Sequence, residues 1–240
     1  MLSSASVRSR SPMARVAVVS SVFGGYDAPA AHAPQTIHAL EHIDLEYVLV
    51  ADRPYDCPPW RVVVEPRPQL HPRLAAKFAK CRPDAYADAD VYIWCDANVR
   101  VYDQGFVSWC LAGLGDAEIA IPRHPDAPKI SDDMALSMTQ PRYSSLPLPQ
   151  QVAHYAAEGF PESFGNWWTG VVVRRGEPAA PEFGNAWMSE MIRWTYHDQL
   201  SLPYVLWKHG LRPADLPPGW LEGRFGFSAH GPEQFVKVTA

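Results

Sequence analysis

Six short runs of continuous apolar sequence, at 15–20, 45–51, 62–64, 91–95, 117–121 and 170–173, constrain this chain more than any other feature. A strand with one wet face alternates apolar and polar residues. A strand that is apolar throughout must be covered on both faces, the situation of parallel sheets flanked by helices. Several runs also end in a polar cluster: Ser20-Ser21-Val22-Phe23-Gly24-Gly25-Tyr26-Asp27 after the first, Asp52-Arg53-Pro54 after the second, Asp96-Ala97-Asn98 after the fourth and Pro122-Arg123-His124-Pro125 after the fifth. Ligands of open α/β sheets bind beyond the carboxyl ends of the strands. The pattern therefore predicts an α/β fold with a polar site along one end of its sheet.

Helical spacing lies between these runs. Leu74, Phe78 and Cys81 form one apolar stripe, and Arg73, Lys77 and Lys80 form a cationic stripe beside it. A short helix is expected over 151–158, closed by Gly159. Phe183, Trp187, Met191 and Trp194 make a longer stripe that reads as core packing, and Asp198 continues it by four residues. A carboxylate on an inward side requires a partner or a function. Ser201 with Pro203 reads as a helix cap and a first-turn proline, with Gly210 closing that helix. The proline-bearing stretch 122–149 has little periodicity and suits a lid or an acceptor-binding segment.

At 240 residues and 47% hydrophobic content, the chain can bury a core without metal or disulfide staples. One domain over 14–240 is expected. Residues 1–13 read as a disordered tail, an upstream start before Met13 or a transit peptide. The net charge is −5 and no block of Lys or Arg occurs, which argues against a dedicated nucleic-acid binder. Cys57, Cys81, Cys95 and Cys110 form no CxxC pair and read as reduced, buried thiols, which suits a cytoplasmic protein without a membrane span.

Asp96-Ala97-Asn98 is the sharpest chemical feature. Two oxygens two residues apart at a strand end can grip a divalent cation, and the cation a diphosphate; an Asx turn without ligand has the same spelling. Lys77 and Lys80 suit either a diphosphate contact or a solvated helical face. Asp52 suits a base or ribose, or a turn before Arg53-Pro54. Gly24-Gly25 lets backbone amides approach a phosphate or makes a plain turn. Adjacent Trp167 and Trp168 point to opposite sides if extended, one into the core and one toward a sugar, unless both are buried. Glu190, His197 and Asp198 are further candidates, with His124 at the end of the fifth run. His230 is either a third metal ligand or a surface histidine.

Taken in order, these segments resemble a glycosyltransferase-like family catalogued as domain of unknown function 616, found in plant mucilage- and turgor-related proteins and in bacteria. The matching pieces run from the 18–27 segment through Arg73-Leu74-Ala75-Ala76-Lys77-Phe78, Tyr92-Ile93-Trp94-Cys95-Asp96-Ala97-Asn98, Ile121-Pro122-Arg123-His124-Pro125, 155–161, Trp187-Met188-Ser189-Glu190 and His197-Asp198-Gln199-Leu200-Ser201-Leu202. The resemblance implies a GT-A fold, a Rossmann-like α/β/α sandwich around a mostly parallel mixed sheet. It also implies a nucleotide-diphosphate-sugar donor, with Asp96 and Asn98 in the place of a D-x-D motif. Asn98 stands where that motif has its second carboxylate, and His197 stands where the family more often has Arg.

On that resemblance the expected reaction is sugar transfer from a UDP-sugar to the hydroxyl of a glycan, lipid or small molecule, a nucleic-acid acceptor being less favoured. Phe23, Gly24, Tyr26 and Asp52 would hold the nucleoside, and Lys77 with Lys80 the diphosphate. Asp96, Asn98 and His230 would hold Mn2+ or Mg2+. Asp198, Glu190 or His197 would serve catalysis, and His124, Trp167 and Trp168 would line the acceptor side. Two other readings remain: a metal-assisted hydrolase using Asp96, His124, His197 and His230, and a nucleotide- or carbohydrate-binding module without turnover.

Overall fold

A computed structural model gives the architecture and describes residues 14–25, 27, 42–101, 105–176, 180–217 and 225–227. The expected tail at 1–13, Tyr26 and His230 lie outside the described residues. The strands are β1 (Ala14–Val22), β2 (Ile43–Ala51), β3 (Arg61–Val64), β4 (Val91–Cys95), β5 (Val99–Val101), β6 (Ile119–Pro122), β7 (Val171–Arg175), β8 (Ala214–Leu216) and β9 (Phe225–Phe227). The helices are α1 (Pro72–Cys81), α2 (Phe106–Leu114), α3 (Ile130–Met138), α4 (Leu148–Ala157), α5 (Ala180–Arg193) and α6 (Asp198–Lys208).

Seven strands form one sheet in the order β3-β2-β1-β4-β7-β6-β8, and β5 pairs with β9 apart from it. β1 runs parallel to β2 and β4, β2 to β3, and β6 to β8, while β7 is antiparallel to both of its neighbours. The expected mostly parallel mixed sheet is thus observed.

Apart from the 62–64 run, which forms the edge strand β3 with no fully buried residue, the continuous apolar runs divide between two cores. Val16 and Val18 of β1, with Val91, Ile93 and Cys95 of β4, face α2 through Phe106, Val107 and Cys110. Ala17 and Val19, with Tyr92 and Trp94, face Ala75 and Ala79 of α1, Trp187 and Met191 of α5 and Leu200 of α6. Helices cover both faces, making a Rossmann-like α/β/α sandwich, and each fully buried aliphatic side chain contributes roughly 1.5–3 kcal/mol.

Several elements depart from the sequence reading. The residues of α1 buried in the second of these cores are Ala75, Ala79 and Cys81, with Leu74 and Phe78 of the expected stripe only partly buried beside them. Small residues let the helix lie close enough for Ser21 Oγ of β1 to donate to the Ala76 carbonyl at 3.0 Å. The 99–114 stretch carried no expected element, yet it forms β5 and α2. The α2 sequence FVSWCLAGL is apolar around most of its circumference, so no helical contrast marks it. The 122–149 stretch holds α3. α6 begins at Asp198 rather than at a Ser201 cap, which places Pro203 inside the helix and Asp198 on its first turn, separate from α5.

Candidate functional site

β1 and β4 lie side by side at the centre of the sheet, but the chain leaves them toward opposite edges. This is the point where strand order reverses, and a crevice opens beyond the strand ends there. The cleft at this point has a volume of about 470 Å³. Phe23 after β1, Asp96 to Asn98 after β4, His124 after β6, Trp168 and Thr169 before β7, Lys77 of α1 and Asp198 of α6 all line it. Because β7 runs antiparallel, its N-terminal end meets the C-terminal ends of β4 and β6.

Four ionised groups form the floor. Asp198 is 7% exposed; its Oδ1 accepts from Lys77 Nζ at 2.9 Å, and its Oδ2 accepts from Lys80 Nζ and from Thr169 Oγ1 at 3.0 Å. Lys80, whose side chain is wholly buried, also lies 3.3 Å from Asp96 Oδ1. That same oxygen accepts from Trp94 Nε1 at 2.7 Å. The Trp94 and Trp187 rings flank the Lys80 ammonium at 5.5 and 5.8 Å. Burial alone would raise the Asp198 carboxyl, but the Lys77 and Lys80 charges overcome it and hold the group well below the usual carboxylate range. The first turn of α6 adds a favourable dipole. Burial likewise opposes the charge on Lys77, and Asp198 and Asp96 more than offset it, so Lys77 is raised above an ordinary lysine.

A second polar cluster forms the opposite wall. Ser137 of α3 donates to Asp133 Oδ1 at 3.2 Å, so its oxygen is left to accept from His197 Nε2 at 2.6 Å. His197 is then the Nε2–H tautomer, and Nδ1 carries the lone pair, with no hydrogen-bond partner among the described residues. Gln199 Nε2 and Asn166 Nδ2 donate to Asp133 Oδ2 at 3.2 and 3.4 Å. The Tyr143 ring packs on His197 with centroids 4.6 Å apart. Burial lowers the His197 pKa, with Asp133 and Asp198 opposing only in part.

The predicted site residues separate into those that reach the cleft and those that do not. Phe23, Lys77, Asp96, Asn98, His124, Trp168, His197 and Asp198 line it, and Lys80 stands behind Asp96. Asp52, Gly24, Trp167 and Glu190 do not line the cleft. Asp52 Oδ2 accepts the Gly24 N–H at 2.7 Å and shapes the loop, where Gly24 has φ +67°. Gly24 therefore serves the loop rather than the cleft wall. Trp167 is fully buried, donating to Asp215 Oδ1 at 3.1 Å beneath the Arg123 guanidinium, so only Trp168 offers a ring to the cleft. Glu190 lies away from the cleft and accepts from the Tyr155 hydroxyl at 2.9 Å. The cationic stripe of α1 is not a solvated face, since Lys80 is 2% exposed.

Sequence reasoning missed Asp133, Ser137, Tyr143 and Thr169. Asp133 and Ser137 stand one turn apart in the stretch taken as an irregular loop, and their i, i+4 spacing was the available signal.

The donor set was tested for a divalent cation. Asp96 and Asn98 sit on a turn closed by the Val99 N–H to the Asp96 carbonyl at 2.9 Å. Among the described residues, no group of three His, Cys, Asp or Glu side chains is placed to hold a metal ion. Hard divalent cations take six or more oxygens and are attracted by carboxylate charge. The Asp96-Ala97-Asn98 turn offers one carboxylate, with an oxygen already shared by an ammonium and an indole N–H. The described residues do not fit a dedicated cation site.

The fold and the cleft define a Rossmann-like α/β protein with its site at a strand-order reversal. Residues 4–215 match the family described as TOD1/MUCI70, glycosyltransferase-like domain, and the chain belongs to that family. An apo structure of the WbbM bifunctional glycosyltransferase is similar in fold, with a TM-score of 0.50 and 14% identity over 85% of this chain; the chain spans 39% of that protein. No curated protein matches the chain. No helix among the described residues is long and apolar enough to cross a membrane.

Proposed function

We propose that the chain transfers a sugar from a nucleoside-diphosphate donor, a UDP-sugar in particular, to a hydroxyl of a glycan, lipid or small molecule. The observation that carries this reading is the meeting of Lys77, Asp96 and Asp198 at one cleft beside the central strands. In this GT-A-like reading, Asp96-Ala97-Asn98 takes the place of the D-x-D segment. Phe23 and the loop after β1, with Tyr26, receive the nucleoside. Lys77, backed by Lys80, faces the diphosphate, where negative charge grows as the sugar departs.

Trp168 and His124 receive the acceptor. Asp198 acts as the anchor of the lysines, because a carboxylate held far below its usual pKa is a weak base. His197, with Nε2–H on Ser137 and Nδ1 buried, holds Ser137 and Asp133 in the acceptor-side wall.

The reading is tested by calorimetric titration with UDP, GDP, CDP and ADP, followed by assay of free-sugar release from the matching nucleotide sugars. Binding of one nucleoside diphosphate with slow sugar release is expected. Binding without turnover on any acceptor panel would return the chain to a binding module, and no binding at all would end the nucleotide reading.

A further inference from the structure

The donor-binding reading leaves open what balances the diphosphate charge, and the floor of the cleft answers with its own cations. We infer that this site receives its donor diphosphate on the Lys77 ammonium, beside Arg73, and needs no divalent cation; the inference rests on the nucleotide-sugar reading above.

Charge balance is the first argument. A cation site gathers carboxylates in excess over nearby ammonium groups. Here the Asp96 oxygen is already held by the Lys80 ammonium and the Trp94 indole N–H, and Asp198 by both lysines, so neither floor carboxylate is left to a cation alone. Asn98 adds an amide where a second carboxylate would tip the balance.

Geometry is the second. Lys80 cannot retreat from Asp96, because its side chain is 0% exposed, bonds Asp198 and lies between two Trp rings. A cation on Asp96 would sit beside a fixed positive charge. Lys77 is placed differently. It lines the cleft with 16% of its side chain exposed, one helical turn from Arg73, which lines the cleft as well. Its three donor hydrogens can serve Asp198 and a phosphate oxygen together.

In the transfer step, the bond between the anomeric carbon and the β-phosphate oxygen breaks, and its electron pair stays on that oxygen. The acceptor oxygen bonds the anomeric carbon and releases its proton to water at the open side of the cleft. The charge left on the diphosphate faces Lys77 and Arg73, and no further co-reactant is required.

The test is calorimetric titration of UDP into the full chain, in excess EDTA and again with saturating Mn2+ or Mg2+. The expected dissociation constants agree within about threefold. Lys77→Gln, which keeps a hydrogen-bond donor beside Asp198, should weaken UDP by about tenfold or more in EDTA while leaving uridine unchanged. UDP that binds only with the cation, and is released by EDTA, overturns the inference and leaves the donor reading standing. UDP that binds under neither condition overturns both. If Lys77→Gln fails to fold by circular dichroism, the two wild-type titrations decide the matter alone.

Discussion

Lys80 Nζ lies 3.3 Å from Asp96 Oδ1 and bonds Asp198 as well, so one buried ammonium joins the end of β4 to the start of α6. The partners are 16 and 118 residues away in sequence. This contact holds the floor of the cleft together, and the first consequence concerns stability.

Lys80→Met leaves the buried Asp198 carboxylate with one cation fewer. Removing one member of a buried pair costs about 3–5 kcal/mol, because the other charge remains uncompensated. Urea unfolding should show a loss of this size. Adding Asp198→Asn should restore part of it, since the two sites are in contact and their effects do not add. Simple additivity in the double variant would mean that the pair is not coupled.

His197 sets a pH dependence. Its pKa is lowered in the folded chain from an ordinary value of 6.5, chiefly by burial. Below that value the unfolded chain binds a proton that the folded chain refuses, so stability rises with pH in this window and falls as pH drops below it. One such group contributes at most about 1.4 kcal/mol per pH unit. Denaturation at pH 7.5 and 5.5 should show the fall, and His197→Gln should flatten it. An unchanged slope in the variant would place the titration elsewhere.

Gly170 makes room for a cleft wall. A Cβ at this position would stand 1.9 Å from a Trp168 ring carbon, and the Gly170 carbonyl accepts the Asp96 N–H at 2.8 Å. Gly170→Ala must displace the indole or the strand entry, at about 1–3 kcal/mol. Thermal melting and acceptor KM should both worsen, whereas Trp168→Ala should raise KM with little loss of stability.

Glu190 and Asp133 should behave differently on substitution. Glu190→Gln lies away from the cleft and should leave free-sugar release from the donor unchanged. Asp133→Asn disturbs the carboxylate that accepts from Ser137, Asn166 and Gln199 in the cleft wall and should slow release by about tenfold. The reverse order would return catalysis to Glu190.

Much of the sheet was legible because burial on both faces writes itself into consecutive residues. The 91–95 run coincides with β4, and the polar segment after it lines the cleft. Other elements carried no such mark. α2 is apolar around most of its circumference, and α3 lies in a stretch whose buried residues include Asp133 and Ser137, so hydrophobic spacing could find neither. Adjacent Trp167 and Trp168 were divided by the isolated bridge from Trp167 to Arg123, a pairing across 44 residues that local sequence does not encode.

By itself the sequence determined the α/β class, the buried strands and the polar tips that line the cleft, because each follows from local burial and spacing. Only the tertiary structure decided that Lys77 and Lys80 turn inward onto Asp198, that Asp52 shapes a loop, and that His197 meets Ser137. Those outcomes depend on which distant charges and hydrogen-bond partners the packed sheet and helices bring within reach, and no local pattern records them.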